Sequence, residues 1–129
     1  GAEAADGEIR IVYGEMPTIM AGLCCGEPNI TSWDILKNHV TAFLAVNDDV
    51  ARRGMRMLAA PFKGDPQVVS GESGAATFGA LATIMKDEAC RGLRLELGLD
   101  QDSKVLMFST EGDTDPDRYK TIVWEGGLK

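Results

Sequence analysis

The chain is poor in the residues that metal centres, disulfide frameworks and nucleic-acid surfaces require. It has one histidine, His39, and three cysteines among 129 residues. Cys24, Cys25, Cys90 and His39 show none of the paired spacings of a zinc site, so no metal is expected. Three cysteines make no disulfide framework, adjacent Cys24 and Cys25 do not bridge each other within ordinary geometry, and buried, inert thiols are the default. Positive charge is short as well: 13 Lys and Arg against 20 Asp and Glu leave a formal net charge of −7. Nucleic-acid phosphates need clustered cations, so no nucleic-acid partner is expected. The densest basic group, Arg52, Arg53 and Arg56, falls on a predicted helix and reads as a solvated face. Long apolar runs are missing too: none approaches the roughly 20 residues that cross a bilayer, and no basic-then-apolar signal opens the chain. The expectation is a cytoplasmic protein with no membrane partner.

What is present suits one modest globular domain, with 44% hydrophobic and 26% charged residues and no repeat or low-complexity linker. Residues 9–12 read as a short strand and residues 18–25 as a tightly packed helix stopped by Gly26 and Pro28. Thr31 or Ser32 caps the next helix, along which Leu36, Val40, Phe43 and Leu44 recur at helical spacing, and residues 43–46 either end that helix or form a strand. His39 lies beside that stripe and reads as a surface or satisfied core residue, since no nucleophile or second ligand accompanies it. Asn47, Asp48 and Asp49 start a helix running to about Ala59, and residues 61–66 form a loop. Residues 67–70 read as a strand, 71–74 as a tight turn, and 75–85 as a helix with Phe78, Leu81, Ala82 and Met85 inward. A further helix over 87–97 leads through a Gly98 turn to a strand at 105–108, and a last helix runs from Pro116 to about Trp124. Alternating strands and helices predict an α/β fold, a mostly parallel sheet flanked by helices.

The most informative stretch is residues 105–117, where an apolar strand signal runs into Ser109, Thr110, Glu111, Asp113 and Asp115 and then into a helix start. In an α/β sheet the carboxyl ends of strands line the ligand crevice, and two short hydroxyls are delivered there. Asp115 caps the next helix, Pro116 suits its first position and Asp117 complements its positive end. A capped turn with no ligand is the plainer reading of the same residues. The second stretch is Ser70-Gly71-Glu72-Ser73-Gly74. Its glycines allow a sharp turn and close approach to a ligand, and the helix start after it attracts anions. A hydrolase nucleophile elbow needs glycine two residues after the serine, where this chain has Ala75. Ser73 as the cap of a strand-to-helix turn is the structural alternative.

Residues 70–76 (Ser-Gly-Glu-Ser-Gly-Ala-Ala) and 108–119, together with Met16 to Leu23, Cys25 to Asn29 and Ile122 to Gly126, resemble the C-terminal part of the diaminopropionate ammonia-lyases. These are pyridoxal-phosphate enzymes of the tryptophan-synthase-β-like fold, fold type II. The resemblance implies that residues 1–129 are a C-terminal fragment of the pyridoxal-phosphate-binding domain of such an enzyme. It implies a parent that carries out α,β-elimination of 2,3-diaminopropionate, a carbon-nitrogen lyase reaction yielding pyruvate and ammonia, as a homodimer in amino-acid catabolism.

By the same resemblance the Schiff-base lysine and the main phosphate-binding glycine loop precede this region. Lys37, Lys63, Lys86, Lys104, Lys120 and Lys129 match no Schiff-base motif, so no catalytic residue is expected here and the fragment should be inactive alone. A cysteine that lost an upstream disulfide partner is then an alternative to the inert thiol. Ser109 is the first choice for the partner of the cofactor's pyridine nitrogen and Thr110 the second, because Thr stands where relatives often have glycine. Glu72 matches a glutamate near the cofactor in relatives. A hydroxyl partner would leave the ring closer to neutral than a carboxylate would, which suits elimination. Uncovered apolar faces should make the fragment self-associate. The competing reading is a non-catalytic binding or interaction module with an enzyme-like fold, which intact mass of the source protein would distinguish.

Overall fold

Five α-helices carry the architecture of the computed structural model, which describes residues 8–126. They are α1 (Ile30–His39), α2 (Asp48–Ala59), α3 (Glu72–Lys86), α4 (Arg91–Glu96) and α5 (Pro116–Val123), with 3₁₀ turns at Ala21–Leu23 and Glu88–Cys90. No strand forms among the described residues, so the expected α/β fold with a parallel sheet is corrected to an all-helical arrangement. The reason is physical: β-pattern marks residues suited to a sheet, but a strand exists only through a neighbour that completes its ladder. Residues 9–12, 67–70 and 105–108 have the composition and no such neighbour here. Two of them bond elsewhere: Val12 N–H donates to Gly26 O (2.9 Å) and Val68 N–H to Leu58 O (3.0 Å).

The centre of the molecule is the contact between α2 and α3, with α5 packed on α2 and α4 on α3. Asn47 starts α2 by accepting the Val50 N–H (3.3 Å), and Asp48 and Asp49 complement its first turn, as the sequence predicts. Glycine then lets the two backbones meet. A Cβ added at Gly79 would fall on the carbonyl oxygen of Val50, and one added at Gly54 on that of Ala75. Around this contact Ile19, Met20, Ala51, Met55, Ala75, Ala76 and Ile122 form the core, with Val46, Leu58, Tyr119 and Val123 against it.

Several expectations about faces and ends are revised. The inward face of α3 is Ala75, Ala76, Gly79, Ala80 and Ile84, whereas Phe78, Leu81 and Ala82 are only partly covered and Met85 is exposed. Small side chains win because they allow the closer approach of helices. Helix α1 stops at His39, so Phe43 and Leu44 lie beyond it and are exposed, as is His39 itself. Its cap is Asn29, which accepts the Ser32 N–H (3.0 Å), rather than Thr31 or Ser32. The helix expected over 18–25 is reduced to the single 3₁₀ turn. Cys24 and Cys25 are exposed and Cys90 is half-buried, all three as free thiols, so the buried-thiol default fails. The arginines of α2 are not a solvated face. Arg56 Nε donates to Ile122 O (2.8 Å), Arg53 reaches Thr83 Oγ1 (3.4 Å), and Arg52 pairs with Asp49 (2.7 Å). No described helix is long and apolar enough to cross a membrane, and no His, Cys, Asp or Glu cluster among the described residues could hold a metal.

Candidate functional site

The two stretches singled out in the sequence, 70–74 and 109–112, are brought into contact at the start of α3. Gly71 occupies the cap position and offers no side chain, which leaves the first N–H groups of the helix without a local acceptor. Glu111 supplies one from the other stretch: its Oε1 accepts the Ser73 N–H at 2.6 Å and the Gly74 N–H at 3.3 Å. Ser73 is therefore not the cap. It sits in the first turn, where its hydroxyl accepts the Gly22 N–H (3.1 Å) and ties the 3₁₀ turn at 21–23 to α3. The positive end of α3, which the sequence marks as a place for an anion, is met by a carboxylate of this same chain.

Ser109 lies beside this cap. Its hydroxyl donates to Ser70 Oγ at 2.8 Å, with Glu111 O as a second acceptor at 3.2 Å. Ser70 is fully buried, whereas Ser109 is exposed, so the pair runs from the interior to the surface. Gly74 makes room for it: a Cβ there would lie 2.6 Å from Ser70 Oγ and 3.1 Å from Ser109 Oγ. Gly71 is equally confined, since its Cβ would lie 2.9 Å from Glu111 Cγ. These glycines are sites of close approach rather than of unusual backbone angle.

Of the other residues proposed from sequence, Thr110 is exposed and adjoins Ser109. Glu72 is tied to α5, its Oε1 3.0 Å from Arg118 Nε. Asp115 caps α5 by accepting the Arg118 N–H (3.0 Å), with Pro116 in the first turn. Asp113 is exposed, and together with burial it raises the Tyr119 hydroxyl above the ordinary tyrosine value, burial being the larger cause. The structure thus joins Ser109 to the 70–74 turn and directs Glu72 to a guanidinium. Sequence reasoning did not assign Ser70, Glu111 or Arg118. The signal for Glu111 was available in principle, since a helix start whose cap is glycine needs an acceptor from elsewhere.

No family model matches the chain. It is similar to diaminopropionate ammonia-lyase of Escherichia coli (strain K12), 49% identical over 120 residues that cover 93% of this chain and 30% of that protein. The enzyme of the same name from Salmonella typhimurium (strain LT2) is 48% identical over 122 residues, 94% of this chain and 30% of the relative. Among solved structures, the Escherichia coli diaminopropionate ammonia-lyase in complex with an aminoacrylate-PLP azomethine reaction intermediate superposes with a TM-score of 0.81. There the identity is 49%, over 86% of this chain and 29% of that one. The homology therefore runs along most of this chain, which spans about 30% of the length of the relatives it matches.

Proposed function

We propose that this homologue of the diaminopropionate ammonia-lyases is the C-terminal part of a pyridoxal-phosphate-dependent lyase, and that Glu72, Ser109 and Thr110, backed by Ser70, form one wall of its cofactor site. The whole protein would then carry out α,β-elimination of 2,3-diaminopropionate to pyruvate and ammonia, with the Schiff-base lysine outside this segment. The homodimer and the cytoplasmic location implied by the resemblance belong to the same reading. The observation that carries it is the Ser70–Ser109 hydroxyl pair, buried at one end and exposed at the other, in a space that a Cβ at Gly74 would fill.

When bound, pyridoxal phosphate supplies the electron sink that acidifies the α-proton of an amino acid. Ser109 is the residue fitted to its pyridine nitrogen, because its hydroxyl, which donates inward to Ser70 Oγ, belongs to an exposed residue and carries a proton that can turn outward to a ring nitrogen. A hydroxyl brings no countercharge, so it leaves the nitrogen closer to neutral than a carboxylate would. Thr110 is the second choice, being exposed next to it. Glu72 lines the same turn, but its charge is offset by Arg118 at 3.0 Å, so it shapes the wall rather than presenting a free anion. Glu111 holds the turn and the Ser109 segment together through Ser73 N–H.

Substitution of Ser109 in the full-length protein tests this reading. Ser109→Ala should leave a buried acceptor without its donor, a loss of about 1–3 kcal/mol. Ser109→Asp should favour a protonated ring, shift the absorbance of the bound cofactor and slow elimination. Unchanged spectra and turnover in both variants would reduce Ser109 to a turn residue and pass the role to Thr110. Treating the 129-residue chain itself with pyridoxal phosphate and borohydride should label none of its lysines stoichiometrically, as peptide mapping would register.

A further inference from the structure

We propose that Ser70 is a positioning residue that sets the direction in which Ser109 donates its proton. The inference rests on Ser109 being the partner of the pyridine nitrogen. Ser70 has no exposed surface, and among the described residues the bond at 2.8 Å to Ser109 is its hydroxyl's hydrogen bond. A hydroxyl carries one proton and two lone pairs, so of two hydroxyls in contact only one donates to the other at a time. Ser109 has two inward acceptors, Ser70 Oγ at 2.8 Å and Glu111 O at 3.2 Å. Its proton is directed inward, toward these acceptors.

Once an aromatic nitrogen stands in front, Ser109 donates outward, and Ser70 reverses to donate into the lone pair that Ser109 then presents. The reversal keeps the buried Ser70 oxygen and that of Ser109 hydrogen-bonded to each other in both states, which an apolar residue at position 70 could not do. It also polarises the outward bond, since a hydroxyl that accepts is a stronger donor. Gly74 is required for the arrangement, because its Cβ would stand 2.6 Å from the Ser70 oxygen. Ser73, also buried, is the internal contrast: its oxygen accepts from Gly22 N–H and takes no part in the pair.

The test uses the full-length protein containing this segment, loaded with pyridoxal phosphate labelled with nitrogen-15 in the ring. The nitrogen chemical shift is read in Ser70→Ala, Ser109→Ala and Ser73→Ala. Ser109→Ala should displace the shift toward that of an unbonded pyridine, and Ser70→Ala should displace it in the same direction by a smaller amount. Ser73→Ala should leave it in place. If Ser70→Ala does not fold, Ser70→Cys, which keeps a weaker donor at the same position, should give the intermediate displacement. A wild-type shift in the Ser70 variant with a displaced one in Ser109→Ala overturns the role of Ser70 alone. An unmoved shift in Ser109→Ala overturns the underlying assignment of Ser109. Equal displacement in the Ser70 and Ser73 variants would mean general loosening of the turn, and the proposal falls.

Discussion

The α2–α3 contact and the surface carrying residues 105–108 treat apolar residues in opposite ways. Where the two helices lie closest the residues are small: Ala51 and Ala75 are wholly buried, and Gly54 and Gly79 touch backbone across the gap. On the surface, large side chains stand in water: Leu106 is 80% exposed and Phe108 73%, with Phe62 and Trp124 similarly bare. Size and burial usually rise together, because area removed from water is what stabilises. Here the buried contact relies on proximity, many short-range dispersion contacts between backbones that nothing holds apart. The large side chains form the kind of exposed apolar surface that interfaces use.

The most severe way to break this contrast is to put a large side chain where the backbones meet. Gly79→Leu should abolish cooperative unfolding and most helical circular dichroism, and Gly79→Ala should already cost about 3 kcal/mol by overpacking. Wild-type melting of the leucine variant would show that backbone proximity does not hold the core. A smaller loss is expected at the start of α3, which the contact positions. Glu111→Ala removes a charged acceptor from two N–H groups and should cost about 1–3 kcal/mol in urea unfolding, with Glu111→Gln losing less. Equal stability of Glu111→Ala and wild type would mean that water caps the helix as well as the carboxylate does.

Tyr119 sharpens the contrast from the edge of the core. Its hydroxyl is buried without a hydrogen-bond partner among the described residues, so Tyr119→Phe should be neutral or stabilising by up to about 1 kcal/mol. Its raised pKa adds a pH dependence. The neutral form is favoured in the fold, so the unfolded chain loses its proton first, near the ordinary value of 10.0. Stability is then complete below that pH and falls as pH rises through the folded value. Chemical denaturation in alkaline buffer should show this fall in wild type and less of it in Tyr119→Phe; identical slopes would refute the linkage. The least stability change is expected at the surface: Leu106→Lys should alter unfolding by no more than about 0.5 kcal/mol. It should weaken self-association in sedimentation velocity, and a wild-type protein that stays monomeric over a wide concentration range would remove the basis for that expectation.

Local chemistry was legible in the sequence. Asn47, Asp115 and Pro116 mark the starts of α2 and α5 because a cap is decided within four residues, and Gly98 marks a left-handed turn. The tertiary choices were not. Phe78 and Met85 are large apolar side chains of one α3 face, yet Ala75 and Gly79 meet its neighbour, since hydropathy measures area and not how closely two helices can lie. Residues 105–108 have strand composition, but composition cannot say whether a neighbour is present to pair with. At the site, Ser109 was singled out from its motif and resemblance. Ser70 and Glu111 were not assigned, because their roles arise from contacts made across 39 and 38 residues of chain.

That separation has a consequence for how the chain tolerates change. The clasp between Ser73 and Glu111 closes a loop of 38 residues, and the entropy of closing a loop rises only with the logarithm of its length. Doubling it costs about 0.6 kcal/mol. The exposed stretch from Asp100 to Asp102 is therefore a place where residues can be inserted with little effect on the clasp. The two halves of the site are indexed to each other by the bonds at their ends, and the length of chain between them is free to drift.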